Sequence, residues 1–114
     1  MTFDEYQKKA ITTDVFKGKA TSAAHPAFMD KVLGLVGESG EVAEKFKKIL
    51  RDKSGEVNDT DKQEIMKELG DVLWYINAVS CYMDISLEEL AAYNLEKLQS
   101  RKTRGQLRGS GDNR

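Results

Sequence analysis

The residues in this sequence best placed to do chemistry are carboxylates. Glu38-Ser-Gly-Glu41 and Glu68-Leu-Gly-Asp71 each set two acids three residues apart, so that in a helix, at about 100° per residue, each pair shares a face. Each pair lies on one flank of an apolar sector, Val32, Leu35, Val42 and Phe46 for the first and Leu69, Val72 and Ile76 for the second. If the two helices pack antiparallel through those sectors, as the short connection at 51–60 suggests, all four carboxylates converge along one groove. Like charges gathered beside an apolar surface repel one another and are costly to desolvate, so such a cluster is expected to serve a cation. An all-oxygen set selects a hard ion: magnesium, held by carboxylates together with substrate phosphates, with manganese as a substitute. Polyphosphate hydrolysis follows from that choice. A divalent ion polarises a phosphoryl group, balances the charge of a leaving pyrophosphate and lowers the pKa of an attacking water, and no protein nucleophile is needed.

Acids three or four apart are also common on solvated helix faces, where they pair with bases, as Glu41 could with Lys45. Recurrence on consecutive helices, at the margin of an apolar face and with glycine between the acids each time, favours the metal reading. Glu44 and Glu64 are close enough in sequence to be outer ligands. Gly34, Gly37, Gly40 and Gly70 each cost roughly 1 kcal/mol inside a helix, which suggests close approach of a backbone or a ligand; a loop over Gly34 to Gly40 is the simpler alternative. No P-loop is present, because no strand precedes these glycines and no Lys-Ser/Thr follows them. A di-iron carboxylate bundle needs a Glu-x-x-His pair on each of two helices, and His25 is the only histidine. Next to Pro26, it reads as a loop residue.

The elements that must position these acids are helical. Pro26 is the only proline, and no window alternates apolar and polar residues for more than a few positions, so no sheet is expected. Thr2 with Glu5 predicts a capped first helix over Phe3 to about Phe16, and residues 18–25 read as a connection. A long amphipathic helix is expected from Ala27 to about Leu50, then a turn over Arg51–Asp61, with Thr60 or Asp61 capping a third helix. That helix carries Ile65, Leu69, Val72, Leu73, Ile76, Val79 and Met83 on one face, and Trp74, Tyr75, Ala78, Cys81 and Tyr82 make its second half apolar nearly all round. Full burial of that half predicts a homo-oligomer with this helix at the interface. Ser86 with Glu89 caps a fourth helix ending near Arg101 to Thr103. The fold class expected is therefore all-α, a four- to five-helix bundle over residues 1–104, followed by a Gly/Arg-rich tail at 105–114.

Length and charge narrow the functional classes. A chain of 114 residues matches one domain of ordinary size. The longest stretch without a charged residue, Val72 to Met83, is too short for the roughly 20 apolar residues that span a bilayer, and no basic-then-apolar leader opens the chain, so the cytoplasm is the expected location and no membrane partner is expected. Cys81 alone excludes an internal disulfide or a cysteine zinc site. Residues 101–114 hold five bases against Asp112, leaving 13 bases and 18 acids before them. Such an acidic body does not suit duplex nucleic acid, whereas a basic tail suits a small anionic ligand.

Glu38-x-x-Glu41 and Glu68-x-x-Asp71, set in Gly-Leu-Val-Gly-Glu-Ser-Gly-Glu-Val-Ala-Glu and Lys-Glu-Leu-Gly-Asp-Val-Leu-Trp-Tyr and followed by Asn94-x-x-Lys97, resemble the MazG-like nucleotide pyrophosphohydrolases of the all-α NTP pyrophosphatase superfamily. The resemblance spans about residues 28–104. It implies a helical bundle assembled as dimers or tetramers, with Mg²⁺ held by Glu38, Glu41, Glu68 and Asp71. It further implies cleavage of a nucleoside triphosphate between the α and β phosphates, with one of the glutamates orienting the water. Asn94 and Lys97 resemble the family's phosphate or ribose contacts. Lys102, Arg104 and, less directly, Arg108 are further candidates for the triphosphate, because cations at the end of the fourth helix could reach it. Trp74, Tyr75, Phe28 and Phe16 are the aromatic residues that could stack on a base. The function expected is housecleaning hydrolysis of unwanted (d)NTPs. Hydrolysis of a phosphoribosyl-nucleotide and a helical nucleotide-binding protein without catalysis are the alternatives.

Overall fold

The computed structural model describes residues 1–16 and 22–114. Four α-helices follow one another, α1 (Phe3–Ala10), α2 (Pro26–Lys53), α3 (Asp59–Tyr82) and α4 (Leu87–Thr103), with one 3-10 turn at Ile11–Thr13. Among the described residues there is no strand, so the all-α class stands. The connection expected at 18–25 lies partly outside the described residues; its end, Ser22 to His25, turns into α2.

Caps decide where each helix begins. Thr2 and Glu5 close the expected capping box on α1, and Ser86 and Glu89 close the one on α4. Pro26 takes the first position of α2, where its missing N–H costs nothing, and the His25 imidazole accepts the Ala27 N–H at 3.1 Å. The third helix starts two or three residues earlier than expected, because Asn58 rather than Thr60 or Asp61 is its N-cap and Asp61 closes a capping box from inside the helix. The first helix is shorter than its periodicity suggests. The Thr12 and Thr13 hydroxyls donate to the Lys9 and Ala10 carbonyls, and the Trp74 indole donates to the same Ala10 carbonyl at 3.2 Å and to Thr13 Oγ1 at 2.8 Å. These bonds draw carbonyls away from a continuing helix.

Gly34 to Gly40 is not a loop, since α2 runs through it unbroken. Gly34 does mark a close approach: a Cβ there would lie 2.1 Å from the Tyr75 ring, whereas Gly37, Gly40 and Gly70 face open space. The Tyr75 ring therefore packs on bare backbone of α2.

α2 and α3 form an antiparallel hairpin. Ser54 and Gly55 reverse the chain with left-handed backbone at φ 53° and 83°, and Lys53 Nζ reaches Asp61 at 2.6 Å across the turn. Farther along, Lys45 faces Glu68 and Gly34 faces Tyr75. α1 lies over the second half of α3 and the start of α4, where Gln7 donates to the Ile85 carbonyl and accepts the Leu87 N–H. Thus much of the cover on the apolar half of α3 comes from the same chain, leaving Asn77, Ala78 and Ser80 buried and Trp74, Tyr75 and Tyr82 half-buried. Ala27, Phe28, Ile49, Ile65, Ala78 and Leu87 are the buried apolar residues.

At the open end of the hairpin the core contains a charge. Lys31 and Asp14 are both buried and pair at 3.0 Å. The Tyr82 hydroxyl donates to Asp14 at 2.6 Å, and Lys31 also donates to the Phe16 carbonyl and to Asp30 at 3.0 Å. Burial alone would lower the Lys31 ammonium; the hydrogen bonds to Asp14 and Asp30 outweigh it and raise its pKa. A buried pair is costly to split, by roughly 3–5 kcal/mol when one partner is removed. It pins residues 14–16 to both long helices.

The glycines of α2 should separate on substitution. Gly37→Ala and Gly40→Ala are expected to stabilise the fold by up to about 1 kcal/mol, the helix-propensity gain. Gly34→Ala is expected to destabilise it, because displacing the Tyr75 ring costs about 1–3 kcal/mol. Urea unfolding of the three variants checks this, and a Gly34→Ala protein as stable as Gly37→Ala would show that Tyr75 does not rest on α2.

Candidate metal centre

The hairpin register brings three of the four expected acids together. One carboxylate oxygen from each of Glu38, Glu68 and Asp71 lies within 4.8 Å of the others, Glu38 and Glu68 half-buried and Asp71 exposed. Glu38 comes from α2, and Glu68 and Asp71 come from one face of α3. Glu41 is exposed and stands outside this group, although its charge still reaches Glu38. The helix lets the pair Glu38 and Glu41 share a side, but only Glu38 points across to α3.

The electrostatics match the arrangement. Partial burial raises the Glu38 carboxyl above its ordinary value, and the charges of Asp71, Glu68 and Glu41 raise it further. Removing water and adding like charges both disfavour the ionised form. Among the described residues Lys45 offsets them, its Nζ 3.7 Å from Glu68 and 4.0 Å from Glu64. Lys45 therefore pairs across the hairpin and not with Glu41. Its spacing from Glu41 pointed to a partner on its own helix, and only the packing of α2 on α3 offered a nearer one. Glu64 also pairs with Lys67 at 2.8 Å and Glu44 with Lys47 at 3.9 Å, so both expected outer ligands have lysine partners. Three oxygens with no sulfur or imidazole donor among them fit a hard divalent cation.

The other candidate residues lie elsewhere. α4 packs on α1 and α3 and not on α2, so Asn94, Lys97, Lys102 and Arg104 are not gathered with Glu38 within the chain. Lys97 and Arg104 are engaged with residues 112 and 114, and Lys102 is exposed. Of the aromatic candidates, Phe28 is buried edge-on against Tyr82 at 5.7 Å, and Trp74 is spent on its hydrogen bonds and an edge contact with Tyr75 at 4.9 Å. Phe16 is exposed, with Lys31 Nζ 5.4 Å from its ring centre.

Comparison with known proteins bears on this site. The profile of the MazG nucleotide pyrophosphohydrolase domain matches residues 29–105, a span that contains all three converging acids and the whole of α4. "Gene 37 protein" of Mycobacterium phage L5 is 43% identical over 114 residues, covering 100% of each chain. No solved structure matches the chain. No helix among the described residues is long and apolar enough to cross a membrane.

The strain at Glu38 sets a pH-dependent test. A carboxyl whose pKa is raised in the folded state costs stability above that pKa and costs nothing once pH falls below its unfolded value. In EDTA at pH 8, Glu38→Gln should therefore raise the thermal midpoint, and the gain should vanish as pH falls through the Glu38 titration. In excess Mg²⁺ the order should reverse, because only the parent gains a ligand-bound state. Thermal unfolding over pH, with and without metal, checks both signs; a lowered midpoint in EDTA would mean that Glu38 has favourable partners.

Proposed function

The chain belongs to the MazG nucleotide pyrophosphohydrolase family, and from that premise we propose that it is a Mg²⁺-dependent pyrophosphohydrolase of housecleaning type, converting a (d)NTP and water into a (d)NMP and pyrophosphate. The observation that carries the reading is the convergence of Glu38, Glu68 and Asp71 from two helices. Those three residues, with Glu41 one turn beyond Glu38, would hold the metal. When bound, the ion neutralises phosphate charge and lowers the pKa of the attacking water. One of the glutamates orients that water. Lys45 offsets the acids while no metal is bound; Asn94 and Lys97, with Lys102 and Arg104 behind them, stand apart from the acids of their own chain and hold the phosphates at the acids of a second copy. Residues 1–104 form the working domain, and a nucleotide substrate places the reaction in the cytoplasm.

Self-association completes this reading. The radius of gyration is 16.9 Å, against about 13 Å for a compact domain of this length. Each long helix also leaves an apolar row in solvent: Met29, Leu33 and Val36 on α2, and Met66, Leu69 and Leu73 on α3. Leu33, Val36 and Met66 are 64%, 67% and 66% exposed. Rows at these spacings are suited to helix packing, and a second copy offers the same rows in return.

Pyrophosphate release from a panel of canonical and modified NTPs and dNTPs, with Mg²⁺, Mn²⁺ or EDTA, tests the reaction. Glu68→Gln and Asp71→Asn should each lower metal-dependent turnover by roughly a hundredfold or more, since a metal supplies several kcal/mol and each 1.4 kcal/mol is tenfold. Undiminished turnover in either variant would overturn the assignment. Silence across the panel, with cleavage of a phosphoribosyl-nucleotide, would move the substrate class; metal-dependent nucleotide binding without any pyrophosphate would identify a binder. Leu33→Glu with Leu69→Glu should yield a monomer by sedimentation, and an unchanged assembly would place the interface elsewhere.

A further inference from the structure

Residues 105–114 fold back on the end of α4. Gly105, Gly109 and Gly111 take left-handed backbone at φ 68°, 126° and 83°, and Arg104 donates to the Arg114 carbonyl at 2.9 Å while Arg114 donates to the Gln106 carbonyl at 3.2 Å. This coil sets Asp112 on two cations. Its Oδ1 lies 3.4 Å from Lys97 Nζ and 3.3 Å from Arg101 Nη2, and Arg101 Nη2 also donates to the Asp112 carbonyl at 2.8 Å. Asn94, Lys97, Arg101 and Arg104 follow one another at three, four and three residues, which places them in one stripe along α4.

Arg101 is the unusual member of the stripe. It is 5% exposed, and its Nε is buried without an acceptor. A guanidinium presents its edge as a fork to two oxygens of one anion, and here the fork is satisfied on one side only. Asp112 itself is 84% exposed. Arg101 and then Lys97 hold its carboxyl below the ordinary range, so it stays ionised at neutral pH. The pair with Lys97, partly exposed on one side and largely on the other, is weak and gives way readily to a competing anion, while Arg101 keeps the Asp112 carbonyl as an acceptor.

Beyond the phosphate contacts already proposed for α4, we propose that Asp112 is a built-in competitor at Lys97 and Arg101, an autoinhibitory contact that substrate phosphates displace. The ligand class rests on the pyrophosphohydrolase reading; the contact with Asp112 does not.

The probe is inorganic tripolyphosphate, titrated calorimetrically into the full chain in EDTA. Asp112→Asn should bind it about two- to fivefold more tightly than the parent, the equivalent of the one exposed ion pair with Lys97, and the gain should disappear when Lys97→Ala is added. Equal affinities, or a gain that survives Lys97→Ala, would overturn the proposal. So would a lower thermal midpoint of Asp112→Asn with unchanged affinity, which would make Asp112 a structural staple. Pyrophosphate release separates the two readings. If the parent releases it and Asp112→Asn binds tripolyphosphate no better, the competitor fails and the hydrolase stands; if no protein releases it while Asp112→Asn binds more tightly, the hydrolase fails and the masked anion site stands.

Discussion

The register of α2 against α3 is the constraint on which the rest of this protein depends. It is held at one end by Lys53 on Asp61 and farther along by the Tyr75 ring seated on Gly34, where only a glycine leaves room. Between those points Glu38 has one place to go, beside Glu68 and Asp71. A slip of one helical turn moves a side chain by about 5.4 Å, more than the 4.8 Å that contains the three carboxylates. The convergence of the acids is thus a consequence of close backbone packing at a different level of the hairpin.

A core this small would not be expected to hold a lysine, yet Lys31 is buried where α2 begins, with Asp14, Tyr82 and the Phe16 carbonyl around it. Neither charge of the pair can be left alone in such surroundings without severe cost. The pair therefore ties the segment after α1 to α2 and α3 at once, and through α1 it steadies the second half of α3. Directional bonds here do what a larger apolar core would do in a longer chain.

Two charge clusters of opposite sign stand on this scaffold, and each is countered from another part of the chain. Lys45 crosses the hairpin to the acids, and Asp112 folds back onto the bases of α4. Lys45 is partly exposed and Asp112 largely so, although Asp112 rests on the buried Arg101.

Much of this was present in the sequence. The helical class, two of the three expected capping residues, the long α2 and the pairing of Glu38 with Glu68 and Asp71 follow from spacing and local chemistry, because caps and amphipathic faces act within a few residues. The same reasoning failed where a distant group intervened: Trp74 captures the Ala10 carbonyl and ends α1, Asn58 takes the cap of α3, and Tyr75 explains one glycine of α2 while leaving the others unexplained. Periodicity placed Glu41 beside Glu38 without telling which of them faces α3. It could not show Asp112 on Lys97 and Arg101 either, since that contact joins residues more than ten positions apart through three left-handed glycines. Local chemistry determined which residues could act. Which of them meet was decided by packing between elements, because the cost of burying charge depends on neighbours that the chain supplies only once it has folded.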